Sequence, residues 1–175
     1  MTRIALFDPA SANGRTKLLL DSLQARRGRV TTMVRVLANS PAALNAYFSF
    51  NSAMAGGTLP AALRERIAIA VAQANGCETC LAAHTAFGKE EGIPDDELSL
   101  ARRADSSVSQ DAAALRFALQ VLKTCGRVSD EELAAVRAAG FGDAAIMEIL
   151  ATVFINAFTN AVNHVAETEP DYPRV

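Results

Sequence analysis

Glu65–Gly92, ERIAIAVAQANGCETCLAAHTAFGKEEG, holds two of the chain's three cysteines and one of its two histidines. The stretch reads as two helices joined at Asn75-Gly76. The first, about Pro60 to Ala74, is apolar nearly all round from Ile67 to Ala72, the mark of a buried helix. Asn and Gly tolerate the left-handed conformation in which helices commonly end. The second helix starts near Cys77 and runs to about Glu91, where Gly92 and Pro94 stop it.

Cys77 and Cys80 are three positions apart, and His84 follows Cys80 by four. Positions three and four apart on a helix share a face. The pair also sits in the first turn, where unpaired N–H groups and the helix dipole favour negative charge. A helix N-terminus and a nearby imidazolium both make a thiol more acidic. In an antiparallel hairpin turning at residues 75–76, equal rise along both helices sets Glu65 across from about residues 84 to 87. Its carboxylate then falls near His84, and with Ile69 and Ala72 beside it on the helix it needs a partner or a raised pKa. Glu65, His84, Cys80 and Cys77 are therefore candidates for a short proton chain. Other readings stand beside this one. The cysteines can be packed thiols, the four side chains can be zinc ligands, and Glu65 can be a solvated charge paired with Arg64 or Arg66. The CxxC spacing with a histidine four residues on, at a helix start, favours redox chemistry over packing. A chain with its own core has less need of structural zinc.

The pattern Glu-x11-Cys-x2-Cys-x3-His, set in NGCETCLAAH, resembles the alkylhydroperoxidase D branch of the carboxymuconolactone decarboxylase-like family. Val36–Phe48 (VLANSPAALNAYF) and Asn163–Pro173 (NHVAETEPDYP) extend the likeness over most of the chain. The resemblance implies an all-helical fold, homo-oligomers (trimers or hexamers) and thiol-dependent peroxide reduction. It implies Cys80 as the peroxidatic cysteine, Cys77 as the resolving one, and His84 and Glu65 as proton relays, with no cofactor and no metal. The pattern departs at Thr79, where some members carry a second histidine, so a relay through that residue is missing. The decarboxylase members do not use the cysteine pair, which argues against that activity.

Elsewhere the chain supports the same class. Its 175 residues suffice for one domain with a sizeable core, and 50% are hydrophobic against 21% charged. A net charge of −2 offers no basic excess for nucleic acid. No apolar run reaches the roughly 18 residues needed to span a membrane, and the first residues lack an apolar signal core. A cytoplasmic protein is expected, a compartment in which CxxC is more often redox-active or metal-binding than a permanent staple.

An all-α single domain over residues 1–175, of about eight or nine helices, is expected around the central hairpin. Residues 1–13 read as an extended lead whose Ile4, Leu6 and Phe7 pack on the body or a neighbouring subunit. Helices are expected over about 15–26 and 31–38, and from Ser40-Pro41, an N-cap with proline at the first position, to Gly56-Gly57. A short acidic-start helix opens at Pro94, another covers about 110–124, and Ser129 with Glu132 marks a capping box. A long apolar helix closes the pattern over about 143–166. On it Asn156, Asn160 and Asn163 share a face, and buried amides of this kind usually fix packing or a subunit contact. That role is preferred here over lining a pocket. His164 is ambiguous, Cys125 reads as an incidental thiol at a helix end, and Tyr47 and Phe48 as core.

Two functions follow. One is a peroxidase that takes a hydroperoxide and is restored by an external dithiol reductant. The other is a disulfide-exchange or redox-partner protein for which peroxide is incidental.

Overall fold

The computed structural model describes residues 2–175; the first residue of the expected lead lies outside them. A 3-10 turn at Pro9–Ser11 precedes α1 (Gly14–Arg27), α2 (Thr32–Leu37), α3 (Pro41–Ala55), α4 (Ala61–Ala74) and α5 (Glu78–Glu90). Then come α6 (Asp95–Ala101), α7 (Ser109–Thr124), α8 (Asp130–Ala138) and α9 (Asp143–Ala166). Among the described residues there are nine α-helices and no strand, the all-α class that the helical periodicity implied.

Helix α4 is the axis. Ile67 to Ala72 are each at most 2% exposed, and α5, α6, α7 and α9 all pack on it. Its alanines let neighbouring helices come close, while Ile67, Ile69 and Val71 fill the spaces between them. A second, smaller cluster gathers Leu20, Val34, Leu37, Ala38 and Leu44 from α1, α2 and α3. Phe7 of the lead packs against it, and the Phe7 amide donates to the Arg35 carbonyl at 3.2 Å. The lead is thus held by the body of its own chain.

Local signals in the sequence set the helix ends. Ser40 Oγ accepts from the Ala43 amide at the start of α3. Ser129 and Glu132 close a complete capping box on α8. The link from α3 to α4 is fixed from a distance. Glu148 of α9 accepts the amides of Thr58 at 2.8 Å and Leu59 at 2.8 Å, and these bonds, that of Thr58 foremost, hold its carboxyl below the usual range.

Helix α9 departs from the sequence expectation about apolar runs. An 18-residue window has a mean hydropathy of 1.6, long and apolar enough to cross a membrane by length and composition. Here its inner face, with Ile149 and Val153 at 0% exposure, joins the core around α4. Three polar interruptions, Asn156, Asn160 and Asn163, lie on the buried side.

Arg66 is the buried cation of α4. It pairs with Asp111 of α7 and, at 3.2 Å, with Glu97 of α6, rather than with Glu65 beside it in sequence. Hydrogen bonds from Ser107 and Ser106, with the Arg66 guanidinium alongside, hold Glu97 down to about 2. A carboxyl whose folded pKa lies below its unfolded value stabilises the fold above the ordinary carboxylate range. That contribution is lost as pH falls from about 4.5 towards 2. Glu97→Ala is expected to cost about 1–3 kcal/mol at neutral pH, because the Ser106 hydroxyl and the Ser107 amide lose their acceptor while Arg66 keeps Asp111 as its partner. Denaturant melts from pH 7 to 2 check both points: the wild-type curve should steepen in that acid window and the variant's should flatten.

Candidate active site

The turn between α4 and α5 builds the site. Gly76 takes φ +65°, and the amides of Gly76 and Cys77 return to the carbonyls of Gln73 and Ala72. This is a Schellman ending, and it needs a residue free to be left-handed at Gly76. It leaves Cys77 directly at the N-cap of α5. There its Sγ accepts from the Cys80 amide at 3.3 Å, the role an N-cap oxygen usually fills.

Cys77 and Cys80 are joined as a disulfide, with Cα atoms 5.3 Å apart. Both are nearly buried, at 3% and 4% exposure. Their surroundings differ. Cys80, Thr79, Ala83 and His84 line a cavity of about 730 Å³, whereas Cys77 lies outside its lining. The cavity opens where the two apolar clusters meet, walled by α1, α2 and α3 on one side and by α4, α5 and α9 on the other.

Glu65 is where the hairpin argument put it. Its Oε2 is 2.8 Å from His84 Nδ1, and both side chains are about one-fifth exposed. A histidine that donates Nδ1–H to a carboxylate keeps Nε2 available as a base. Among the described residues no hydrogen bond joins His84 to Cys80; the two share the cavity wall. Of the proton chain expected from the sequence, the Glu65–His84 contact is present, and His84 and Cys80 meet only as lining of the same cavity. Among the described residues no three His, Cys, Asp or Glu side chains are grouped as a metal ion would need.

Aromatic rings form the far wall. Phe87 packs edge-on against His84 at 5.8 Å and Tyr172 at 5.3 Å, and the Arg27 guanidinium lies 4.3 Å over its ring. Tyr47 and Phe48, read from sequence as core, line the cavity. Burial, with the Glu65 carboxylate nearby, pushes the Tyr47 phenol up to about 12, so it stays a neutral hydroxyl at working pH. The C-terminal tail completes the wall. Asp171 accepts from the Thr32 amide at 2.8 Å and the Thr32 hydroxyl at 3.1 Å, and Arg29 donates to the Asp171 carbonyl at 2.6 Å.

The asparagine face of α9 requires a correction. Asn160 does fix packing, accepting from Asn75 Nδ2 at 2.8 Å and so tying the hairpin turn to α9. Asn163 and Asn156, however, line the cavity, and Asn163 Nδ2 donates to Cys80 Sγ at 3.1 Å. Thr168 Oγ1 donates to Asn163 Oδ1 at 2.6 Å, and Thr79 Oγ1 donates to the Thr168 carbonyl at 2.9 Å. Thr79 thus anchors the segment after α9 to α5. The spacing of the three amides on an apolar helix was the signal; it did not tell which amide meets a sulfur. His164 points the other way and donates Nε2–H to the Asn75 carbonyl at 3.0 Å, clamping the turn. Cys125 is an exposed thiol at the end of α7, remote from the pair in sequence.

Comparisons with known proteins agree with the fold. Residues 41–124, which hold α3 to α7 and all four candidate residues, match the model of the carboxymuconolactone decarboxylase family. No curated protein matches the chain. A solved structure described as an alkylhydroperoxidase AhpD core, an uncharacterized peroxidase-related protein from Ralstonia eutropha, is similar with a TM-score of 0.88 and 24% identity; 97% of this chain and 92% of that one are covered. An uncharacterized peroxidase-related protein from Silicibacter superposes with a TM-score of 0.83 at 21% identity, over 98% and 95% of the two chains. The debrominase Bmp8, in complex with 2,3,4-tribromopyrrole, gives 0.81 at 15% identity over 98% and 92%. At these identities the likeness is one of fold. Residues 41–124, with the hairpin they contain, are thus matched by the carboxymuconolactone decarboxylase family, and nearly the whole chain shares its fold with these solved structures.

Proposed function

We propose that the protein is a thiol peroxidase that reduces hydroperoxides through a Cys77/Cys80 dithiol–disulfide cycle. One observation carries the reading: of the two bonded sulfurs, that of Cys80 belongs to a residue lining the cavity that also holds the Glu65–His84 pair. In the reduced protein the Cys80 thiolate attacks the distal oxygen of ROOH. The O–O bond breaks, sulfur is oxidised to sulfenic acid, and the alkoxide leaves as ROH with a proton passed by His84 and held in balance by Glu65. The Cys77 thiol then attacks the sulfenic sulfur, water leaves and the disulfide closes. An external dithiol returns two electrons and two protons. Its identity, and assembly into trimers or hexamers, belong to the same proposal.

The test is titration of fully reduced protein with one equivalent of an organic hydroperoxide, following thiol loss in time and mapping the product by mass spectrometry. Rapid loss of two thiols with a Cys77–Cys80 bridge is the expected result. Loss no faster than that of a free thiol at the same pH would replace peroxidase by disulfide exchange. A second reading, reductive debromination, draws support from the fold shared with Bmp8 and from the aromatic wall of Tyr47, Phe48, Phe87 and Tyr172. Bromide release from a bromopyrrole by the reduced protein, with no peroxide consumed faster than by a free thiol, would favour it.

A further inference from the structure

We infer that Asn163 is a catalytic residue, whose carboxamide N–H stabilises the Cys80 thiolate; the inference rests on the peroxidase reading above for its role in turnover. Asn163 Nδ2 lies 3.1 Å from Cys80 Sγ, and the side chain is buried, with 7% exposure for the residue. A largely buried donor aimed at sulfur strengthens when the sulfur becomes an anion, because hydrogen bonds to ionised groups are about twice as strong as neutral ones. No reorganisation is needed, since the donor already points at the sulfur in the oxidised state.

Three features make the amide a built element rather than a chance contact. Thr168 Oγ1 donates to Asn163 Oδ1 at 2.6 Å, which orients the amide so that nitrogen, not oxygen, faces Cys80. Thr168 is itself fixed: its amide donates to the Asn163 carbonyl at 3.2 Å and its carbonyl accepts from Thr79 Oγ1 at 2.9 Å. The other sulfur is served differently, since Cys77 Sγ accepts the backbone amide of Cys80. Dipole and first-turn position favour an anion at both sulfurs; among the described residues the Asn163 side chain adds a donor on Cys80 that Cys77 does not receive. The asymmetry that makes Cys80 the attacking sulfur is therefore supplied by α9, 83 positions away in sequence. Thr168 is a positioning residue for it.

Alkylation by iodoacetamide reads the thiolate without peroxide. In the full chain carrying Cys77→Ser and Cys125→Ser, only Cys80 reacts, and its rate against pH gives its ionisation. Asn163→Ala is expected to slow alkylation at neutral pH about tenfold to a hundredfold, the worth of a hydrogen bond to a charged group. The rates should converge at alkaline pH, where both thiols are ionised. Asn163→Asp, of nearly the same shape, is expected to shift the profile further the same way, and Thr168→Val less. Helical circular dichroism confirms which variants fold, and the two asparagine substitutions guard against either failing. Superimposed pH profiles in a folded Asn163 variant and the parent would overturn the inference. If instead the profile shifts as expected but wild-type protein reacts with peroxide no faster than a free thiol, the peroxidase reading alone fails.

Discussion

Replacing Cys80 by serine is expected to lower the rate of reaction with an organic hydroperoxide by about 10³-fold or more, the scale on which enzymes lose activity with their nucleophile. A serine hydroxyl in the same place keeps shape and polarity but cannot present an anion at neutral pH or accept oxygen from a peroxide. The experiment is cleanest in a Cys125→Ser background, because Cys125 is exposed and would react slowly on its own account. The companion substitution separates the two sulfurs. Cys77→Ser leaves the first step intact, so one equivalent of peroxide should be consumed rapidly and a sulfenic acid should accumulate on Cys80, but turnover with a dithiol should stop. Stopped-flow oxidation with mass spectrometry distinguishes the two. The opposite pattern, with Cys80→Ser reacting and Cys77→Ser silent, would reverse the assignment. That outcome would have to be squared with a geometry in which Cys77 is itself the N-cap of α5 and lies outside the cavity lining.

The Glu65–His84 pair carries the second large effect. His84→Ala is expected to lower the peroxide rate by about 10²–10⁴-fold, the usual contribution of a positioned acid–base group. Glu65→Gln should do less, since glutamine still reaches His84 Nδ1 across the 2.8 Å contact but no longer holds a negative charge beside an imidazolium. If the two act as one unit, the double variant will be close to His84→Ala alone, because Glu65 has nothing left to orient. Single-turnover rates for the wild type, both singles and the double complete the cycle. Effects that multiply would mean that Glu65 acts through another neighbour, and the Tyr47 phenol, whose pKa feels the Glu65 charge, would be the first to examine.

The helices were legible because their ends carry local chemistry. Ser40-Pro41, the Ser129/Glu132 box and Asn75-Gly76 specify caps through interactions among residues within a few positions of each other. The hairpin register follows from the same locality. Two helices of equal rise leaving one turn must bring Glu65 beside His84, and the cysteine spacing fixes which residues the first turn of α5 presents.

What the sequence by itself determined is therefore the all-α class, the hairpin, and the placing of Cys77, Cys80, His84 and Glu65 together on it. Only the tertiary structure decided which partners come from other helices. Asn163 meets Cys80 because α9 crosses the hairpin at one particular height and rotation, set by the packing of Ile149 and Val153 against α4. An amide face reads the same in sequence whether it meets a sulfur, another amide or a subunit. The cavity is likewise a property of two apolar clusters that leave space where they meet, and the tail closes it through Asp171 and Thr32, 139 positions apart. Arg66 chose Glu97 and Asp111 over adjacent Glu65 for the same reason, since neighbours in sequence on a helix point to different faces. Local chemistry fixes caps and register; contacts across the fold depend on where whole helices come to rest.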